Sequence, residues 1–193
     1  TEVQGPGSFS VTVRVNDNGS PNLFDEETIN ITVNEVNRDP VLAAIGNQTV
    51  NEETPLTFTA TATDPDLPAN ALTFSLIGAP AGAIINSTTG VFTWTPTEAQ
   101  GPGNFSVTVL VTDNGTPNLF DEETINITVN EFNRDPVLAA IGNRTVNEET
   151  PLTFTATATD PDLPANTLTF SLIGAPPGAS IDPTTGVLTW TPT

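Results

Sequence analysis

The sequence of 193 residues contains no cysteine, histidine, lysine, tyrosine or methionine. Without cysteine no disulfide can staple a small fold, and without cysteine or histidine a zinc site lacks its usual ligands. The missing histidine, cysteine, lysine and tyrosine also remove most of the general bases and nucleophiles that enzymes use. We therefore expect no catalytic residues and no enzyme activity.

Positive charge is scarce, because only four arginines stand against 23 aspartates and glutamates, for a net charge of −19. Phosphate binding needs lysine and arginine, so nucleic acid is an unsuitable partner, and an anionic membrane surface is disfavoured for the same reason. No apolar run is long enough to span a bilayer, and we expect no membrane insertion in this segment. A charge of this size repels itself unless cations neutralise part of it.

What the chain has instead is a long internal repeat. Residues 1–96 recur as residues 97–192 at an offset of 96, with thirteen substitutions. Solenoid units span only about 20–50 residues, so a repeat of this length indicates a tandem array of whole domains.

Apolar and small polar residues alternate along most of the repeat. Leu56, Phe58 and Ala60 alternate with threonines, and Phe105 to Val111 show the same period of two. No segment has helical periodicity, and proline and glycine separate the runs. The pattern predicts an all-β protein of tandem immunoglobulin-like, Greek-key β-sandwiches, with about seven strands per 96-residue repeat.

Differences between the two copies separate surface from core. Arg14 corresponds to Leu110, an exchange that a buried site rarely tolerates, so this position is predicted to face water. Phe92 corresponds to Leu188 and precedes an unchanged tryptophan at position 94 or 190. These positions are predicted to lie in the core.

The natural domain boundary follows Val129, where Asn-Glu-Phe-Asn-Arg-Asp-Pro136 ends a strand and proline blocks its continuation. This phasing predicts one complete domain at 38–133. It is flanked by 1–37, with the last two strands of a repeat, and by 134–193, with the first five. Two explanations stay open: the sequence is a window on a longer polymer of identical domains, or residues 136–193 of one molecule are completed by residues 1–37 of the next.

Most acidic residues of the complete domain lie in or near predicted loops between strands. The run Asp121 to Glu123 matches no ligand segment and is interpreted as a solvated loop. Carboxylate and amide oxygens are the ligands of a hard cation such as calcium. The alternative to metal binding is turn formation, because Asp64 and Asp66 flank a proline and suit Asx-turns, and Asp113-Asn-Gly suits a hairpin turn.

Several segments resemble the motifs of cadherin repeats. Asp64-Pro-Asp66 with Asn70 is similar to the Asp-x-Asp…Asn loop, Ile181 to Val187 to the Ile-Asp-x-x-Thr-Gly segment, and Thr128 to Pro136 to the Asp-x-Asn-Asp-Asn-x-Pro linker. The resemblance is closest to the cadherin-like and dystroglycan-type repeats of large bacterial surface proteins, whose Gly-Val-x-Thr-Trp-Thr-Pro pattern stands at 90–96. It implies an extracellular, cell-surface location.

The resemblance also implies calcium between consecutive domains. At the first joint the ligands would be Glu2, Glu35, Asn37, Asp39, Asp64, Asp66, Asn70 and Asp113. At the second joint they would be Glu52, Glu98, Glu131, Asn133, Asp135, Asp160, Asp162 and Asn166. Arg38 and Arg134 stand where the family linker has an acid, so we expect one or two calcium ions per joint, or an arginine salt bridge in place of an ion.

The sequence therefore predicts a structural segment of an extracellular tandem-repeat adhesin or surface fibre, stiffened by calcium at the joints between domains. Its partners would be neighbouring repeats or identical subunits, with a cell-surface or matrix ligand. The alternatives are a filament subunit in which half-domains of neighbouring molecules complete each other, and a carbohydrate- or protein-binding module. For the last, Phe24 and Phe120 are the candidate contact residues.

Overall fold

The computed structural model describes residues 4–193. Within them only Glu98–Gln100 is helical, a single 3₁₀ turn, so the prediction of an all-β chain is confirmed. The backbone divides into two compact units. The first comprises the chain up to Gln48 with Pro55–Thr95 and Asn104–Ile127, and the second comprises Thr49–Thr54, Pro96–Gly103 and Thr128–Thr193. No helix among the described residues has the length and apolar character needed to cross a membrane.

The first two strands form a separate antiparallel hairpin. Strand β1 spans Gly7–Asn16 and β2 spans Phe24–Val33, in a register that places Gly7 opposite Val33 and Asn16 opposite Phe24. The Asp17 side chain closes the turn, because its Oδ1 accepts hydrogen bonds from the backbone N–H of Gly19 (3.0 Å) and of Leu23 (2.9 Å).

The central repeat contains nine strands, which form three sheets in the orders β4-β11-β10-β7, β5-β9-β8 and β3-β6. Their bounds are β3 Val41–Leu42, β4 Gln48–Asn51, β5 Leu56–Thr59, β6 Ala62–Thr63, β7 Thr73–Ile77, β8 Ile84–Ile85, β9 Val91–Trp94, β10 Gly103–Thr112 and β11 Phe120–Asn130. The number exceeds the predicted seven because short two-residue pairs such as β3-β6 count as strands, and because Gly46 at φ +73° lies in the break between β3 and β4.

The core of the first unit lies where the apolar alternation predicts it. Phe74 packs with Ala60, Val109 and Val111, and the two valines are fully buried. Phe92 and Trp94 are also buried, as predicted. The Trp94 indole meets Phe105 edge-on at a centroid distance of 5.1 Å and donates from Nε1 to the Ala81 carbonyl at 3.2 Å.

The acidic run at 121–123 is not a solvated loop, so that interpretation is wrong. These residues lie in strand β11. Asp121 Oδ2 accepts a hydrogen bond from the Leu42 N–H at 2.8 Å, and the Glu123 carboxylate accepts from the N–H groups of Ile45 (2.6 Å) and Gly46 (3.0 Å). These two side chains thus satisfy backbone donors at the end of β3 and in the break between β3 and β4.

The second unit includes a shorter version of the same sheets, in the orders β13-β16-β15 and β12-β14. The bounds are β12 Val137–Leu138, β13 Leu152–Thr155, β14 Ala158–Thr159, β15 Ser180–Ile181 and β16 Val187–Trp190. Residues 144–147 and 169–173, which correspond to β4 and β7, form no strand. In the central repeat those strands pair with β11 and β10, and residues 134–193 contain no counterpart of either.

Candidate metal centre

Three glutamates of the second unit meet at one point. Glu52 follows β4, Glu98 opens the 3₁₀ turn and Glu131 follows β11. The backbone joins these segments, because the Glu52 N–H donates to the Asn130 carbonyl (3.0 Å) and the Glu53 N–H donates to the Pro96 carbonyl (2.7 Å). As a result, one carboxylate oxygen from each glutamate lies within 4.8 Å of the others.

The oxygens of this cluster are buried without enough donors. Glu52 is 1% exposed, and its Oε1 accepts a hydrogen bond from the Phe132 N–H at 3.2 Å. Its Oε2, and both carboxylate oxygens of Glu131, are buried and have no hydrogen-bond partner. Gly101 makes room for this carboxylate, since a Cβ at that position would overlap Glu52 Oε2. A buried charged oxygen without a partner is costly, and a bound cation would remove that cost.

The surroundings of Glu131 disfavour the charged form of its carboxyl. Burial, and then the charges of Glu52, Glu98 and Asp162, raise the pKa of Glu131. A bound cation would oppose this effect, because a nearby positive charge favours the ionised form of a carboxyl.

Arg134 neutralises part of the same surroundings. Its guanidinium donates to Glu98 Oε2 at 2.7 Å and also pairs with Glu53. Its backbone N–H donates to both oxygens of Asp162, at 3.2 and 3.1 Å. The second Glu98 oxygen accepts from the Leu163 N–H at 2.7 Å. Arginine therefore satisfies Glu98, whereas Glu52 Oε2 and Glu131 keep unpartnered oxygens.

The remaining predicted ligands of the second joint form a turn around Asp160. Its Oδ1 accepts from the backbone N–H groups of Asp162 and Asn166, both at 3.1 Å, which is an Asx-turn. The Asn166 amide donates to Asp162 Oδ2 (3.2 Å) and to Asn133 Oδ1. Asp162 is 1% exposed, whereas Asp135 is exposed to solvent.

The first joint assembles a second polar group, within the first unit. Asp113 is 3% exposed, and its Oδ2 accepts from the Asn37 amide at 2.9 Å. Its Oδ1 closes the predicted turn by accepting from Gly115 (3.0 Å) and Leu119 (2.9 Å). Burial works against the charged form of Asp113, but the hydrogen bonds from Leu119, Asn37 and Gly115 outweigh it and lower the pKa of this carboxyl.

Asp64 and Asp66 each have one carboxylate oxygen that accepts hydrogen bonds and one that has no partner. Asp64 Oδ1 accepts from the N–H groups of Asp66 and Asn70, both at 3.0 Å. Asp66 Oδ2 accepts from the Arg38 N–H (3.1 Å) and from the Asn70 amide (3.2 Å). The second oxygen of each aspartate, Asp64 Oδ2 and Asp66 Oδ1, is buried without a hydrogen-bond partner. Asp64 can therefore close an Asx-turn with one oxygen and still offer the other to a cation.

Three other predicted ligands lie apart from these groups or outside the described residues. Glu35 and Asp39 are exposed, and Glu2 lies outside the described residues. Glu35 occupies the position of Glu131, but residues 1–37 contain no counterpart of Glu52, so the glutamate cluster is not repeated there.

Sequence reasoning missed two residues that lie beside the glutamate cluster and affect its geometry or charge. Glu53 pairs with Arg134 and has φ +56°, unusual for a residue with a side chain. Gly101 supplies the space for Glu52, and its signal was available in the Gly-Pro-Gly at 101–103. The sequence alone, however, does not show that Gly101 lies against the Glu52 carboxylate.

Comparison with known proteins agrees with the all-β fold described above and with the predicted immunoglobulin-like sandwich. The family model described as "Putative Ig domain" matches residues 39–130 and 135–193. Protocadherin Fat 4 of Mus musculus is 29% identical over 136 residues, which is 66% of this chain and 3% of that protein. Protocadherin Fat 1 of Homo sapiens is 28% identical over 159 residues, which is 76% of this chain and 3% of that protein. The chain thus spans about 3% of the length of these curated relatives.

Solved cadherin repeats have a similar fold. Mouse cadherin-23 EC22-24 aligns with a TM-score of 0.56 at 25% identity, over 93% of this chain and 62% of that one. The protocadherin gammaB4 extracellular domain aligns with a TM-score of 0.53 at 21% identity, over 100% of this chain and 35% of that one. These domain classes agree with the expectation that the chain is not an enzyme. The chain belongs to the family of Ig-type domains that the matching model defines, and its repeats are cadherin-like.

Proposed function

We propose that this chain is a structural segment of an extracellular tandem-repeat adhesin or surface fibre, and that calcium binds where one repeat ends and the next begins. The predicted extracellular location agrees with the comparisons, because the similar solved structures are extracellular cadherin domains. One observation carries the metal proposal: Glu52 Oε2 and both oxygens of Glu131 are buried together without a hydrogen-bond partner.

Calcium is the cation that fits this donor set. The cluster offers carboxylate oxygens only, and the sequence contains no histidine or cysteine that would favour a softer metal. Since Arg134 already satisfies Glu98, we propose one ion at the glutamate cluster, held by Glu52 and Glu131. The buried open oxygens of Asp64 and Asp66 would hold a second ion at the first joint.

A calcium titration tests the proposal. We expect calorimetry to detect binding to the wild-type chain, and an ion at a hundred times its dissociation constant adds about 2.7 kcal/mol of stability. Glu131→Gln and Glu52→Gln should each abolish one binding event. Glu122→Gln, an exposed acid of strand β11, is the matched control and should bind like the wild type. Equal calcium binding by all four proteins would refute the glutamate site.

A second measurement addresses stiffening. Small-angle scattering with calcium and then with excess EGTA should show a broader distribution of end-to-end distances without the ion. If EGTA changes neither the melting temperature nor the scattering curve, the calcium mechanism is wrong.

The carbohydrate-binding alternative has little support from the aromatic residues. Phe24 is covered on one face by the Arg14 guanidinium, 4.1 Å from the ring centroid. Phe120 is 57% exposed, but a lone exposed ring is ordinary for a protein surface.

A further inference from the structure

The outer face of the hairpin β1–β2 holds an arginine between an aromatic ring and an acid. The guanidinium carbon of Arg14 lies 4.1 Å from the centroid of the Phe24 ring. The same guanidinium pairs with Glu26, because its Nε and Nη2 lie 2.8 and 2.6 Å from the carboxylate Oε2. Stacking on a ring and pairing with a carboxylate are two interactions to which a planar guanidinium is well suited. Phe24 and Glu26 therefore form a guanidinium site that the chain fills itself.

The central repeat keeps this ring and this acid but lacks the cation. Phe120 and Glu122 occupy the positions of Phe24 and Glu26, and Leu110 stands in place of the arginine. Phe120 is 57% exposed, and Glu122 is also exposed in strand β11. Within residues 4–193 no cation stacks on Phe120, and the Glu122 carboxylate has neither a hydrogen bond nor an ion pair. Both groups are thus open to a cation from another molecule.

Threonine pairs show that the two hairpins have the same register. Thr12 Oγ1 lies 2.8 Å from Thr28 Oγ1 across β1 and β2. Thr108 Oγ1 lies at the same distance of 2.8 Å from Thr124 Oγ1 across β10 and β11. In this register the arginine of the first hairpin, or the leucine that replaces it in the second, lies directly opposite the glutamate.

The backbone beside the glutamate is also the same in the two copies. The Glu26 N–H donates to Asp25 Oδ1 at 3.0 Å, and the Glu122 N–H donates to Asp121 Oδ1 at 2.9 Å. Phe120 and Glu122 are two residues apart in one strand, so their side chains lie on the same face of the sheet. The ring and the carboxylate of the central repeat therefore have the arrangement that holds a guanidinium in the first hairpin.

We propose that Phe120 and Glu122 bind an arginine side chain of a partner protein. The internal comparison carries the argument, because the equivalent pair holds a guanidinium and only the exchange at position 110 removes it. Leu110 is half-buried and would pack against the aliphatic stem of the incoming arginine. Ser75 lies opposite Leu110 on the neighbouring strand β7, and this small, exposed residue leaves the approach open.

Charge favours a cationic partner at this site. The chain has a net charge of −19, which attracts cationic groups and repels anionic ones. Of the three successive acids in β11, Asp121 and Glu123 accept hydrogen bonds from backbone N–H groups. Glu122 is left to pair with the partner. Arginine is preferred to lysine, because the guanidinium is planar, stacks on aromatic rings and is more weakly hydrated than an ammonium group.

The inference goes beyond the calcium proposal and does not rest on it. None of the predicted calcium ligands belongs to the pair Phe120 and Glu122. Glu122→Gln should bind calcium like the wild type and yet bind arginine more weakly. A calcium titration and an arginine titration of this one variant therefore distinguish failure of one proposal from failure of the other.

A titration of the 193-residue chain with N-acetyl-arginine amide, followed by backbone amide chemical shifts, tests the site. Ring stacking and an exposed ion pair are each weak, so we expect a dissociation constant of about 10–100 mM. The shifts should saturate and be largest at residues 120–122. N-acetyl-lysine amide at the same ionic strength should bind about threefold more weakly. Absence of saturable shifts at 120–122, or equal binding of the two amides, would overturn the proposal.

Exchanging the residues that differ between the copies gives the sharpest comparison. Leu110→Arg introduces the residue of the other copy, whose guanidinium should fill the site and weaken binding about fivefold or more. Arg14→Leu is the reciprocal variant and should open a second site, with new shifts at residues 24–26. If Leu110→Arg binds like the wild type, the site does not recognise a guanidinium. A lack of response at 24–26 in an Arg14→Leu hairpin with otherwise unchanged amide shifts would also contradict the proposal.

Side-chain variants of the site separate stacking from charge. Phe120→Leu removes the ring and Glu122→Gln removes the charge, and each should weaken binding about threefold. Ser106→Ala, an exposed change on the same face of β10, is the control and should bind like the wild type. Methyl β-glucoside is the neutral probe. A stronger response to the glucoside than to the arginine amide at 120–122 would indicate a sugar platform and overturn the proposal.

Discussion

At the residue scale, one arginine changes how the candidate metal centre is neutralised. Arg134 stands where the linker of cadherin repeats has an acid, and it bonds Glu98 and Glu53. The predicted alternatives of calcium or a salt bridge are therefore not exclusive. The salt bridge satisfies one side of the cluster, and the oxygens of Glu52 and Glu131 stay open for a cation.

Gly101 is the residue on which the geometry of this cluster most directly depends. We expect Gly101→Ala to destabilise the second unit by about 1–3 kcal/mol and to weaken calcium binding, because the new methyl group would displace the Glu52 carboxylate. Calorimetric unfolding and a calcium titration measure both effects. Gly7→Ala is the control, since a Cβ there meets its nearest atoms at 3.5 Å or more. Normal calcium affinity in Gly101→Ala would contradict a role for Glu52.

At the element scale, equivalent turns use different side chains for the same purpose. Asn86 Oδ1 accepts from the N–H groups of Thr88 (3.0 Å) and Thr89 (2.9 Å). Asp182 Oδ1 accepts from Thr184 (2.9 Å) and Thr185 (2.7 Å) in the same way. Only the aspartate can titrate, and the hydrogen bonds from Thr185 and Thr184 lower its pKa.

Because Asp182 can titrate and Asn86 cannot, the turn at 182–185 is predicted to be sensitive to acid. The pKa of Asp182 is lower in the folded chain than in the unfolded chain, where it is about 3.9, so its stabilisation is fully present above about pH 4. That stabilisation is lost as the pH falls through the lowered folded-state value. Amide exchange at Thr184 and Thr185 should therefore accelerate in acid relative to Thr88 and Thr89. Asp182→Asn should remove the difference, and an unchanged difference would contradict the assignment to this carboxyl.

At the scale of the whole molecule, one sequence forms different structures in different surroundings. Thr73–Ile77 is a strand, whereas residues 169–173, with the same Thr-Phe-Ser-Leu-Ile sequence, are not. The difference is the partner strand, because β10 supplies ladder hydrogen bonds and apolar cover to the first segment. Strand formation in these repeats thus depends on long-range pairing more than on local propensity.

Two equivalent phenylalanines should report this difference in stability. Phe74 is 7% exposed, and we expect Phe74→Ala to cost about 3–5 kcal/mol. Phe170 is half-buried, so Phe170→Ala should cost about a third of that. Denaturant unfolding that fits the two units as separate transitions measures both changes. Equal costs would contradict the difference in burial between the two phenylalanines.

Much of the fold could be read directly from the sequence. The alternation of Leu56, Phe58 and Ala60 with threonine identifies a sheet with one buried face, and the Phe92–Leu188 exchange identifies a core position. These features are visible because strand periodicity is local. The aspartates that close turns, such as Asp64 and Asp113, are also predictable, since their hydrogen bonds reach only two to six residues along the chain.

Other features depend on residues far apart in sequence. The acids Asp121 and Glu123 bind backbone donors nearly 80 positions away, and no local pattern separates them from a solvated loop. Glu52, Glu98 and Glu131 meet because backbone hydrogen bonds join three distant segments. The sequence by itself determined the all-β class, the repeat and the acids available to a cation. Only the tertiary structure decided which carboxylates are buried together and which segments form strands, because both depend on long-range pairing.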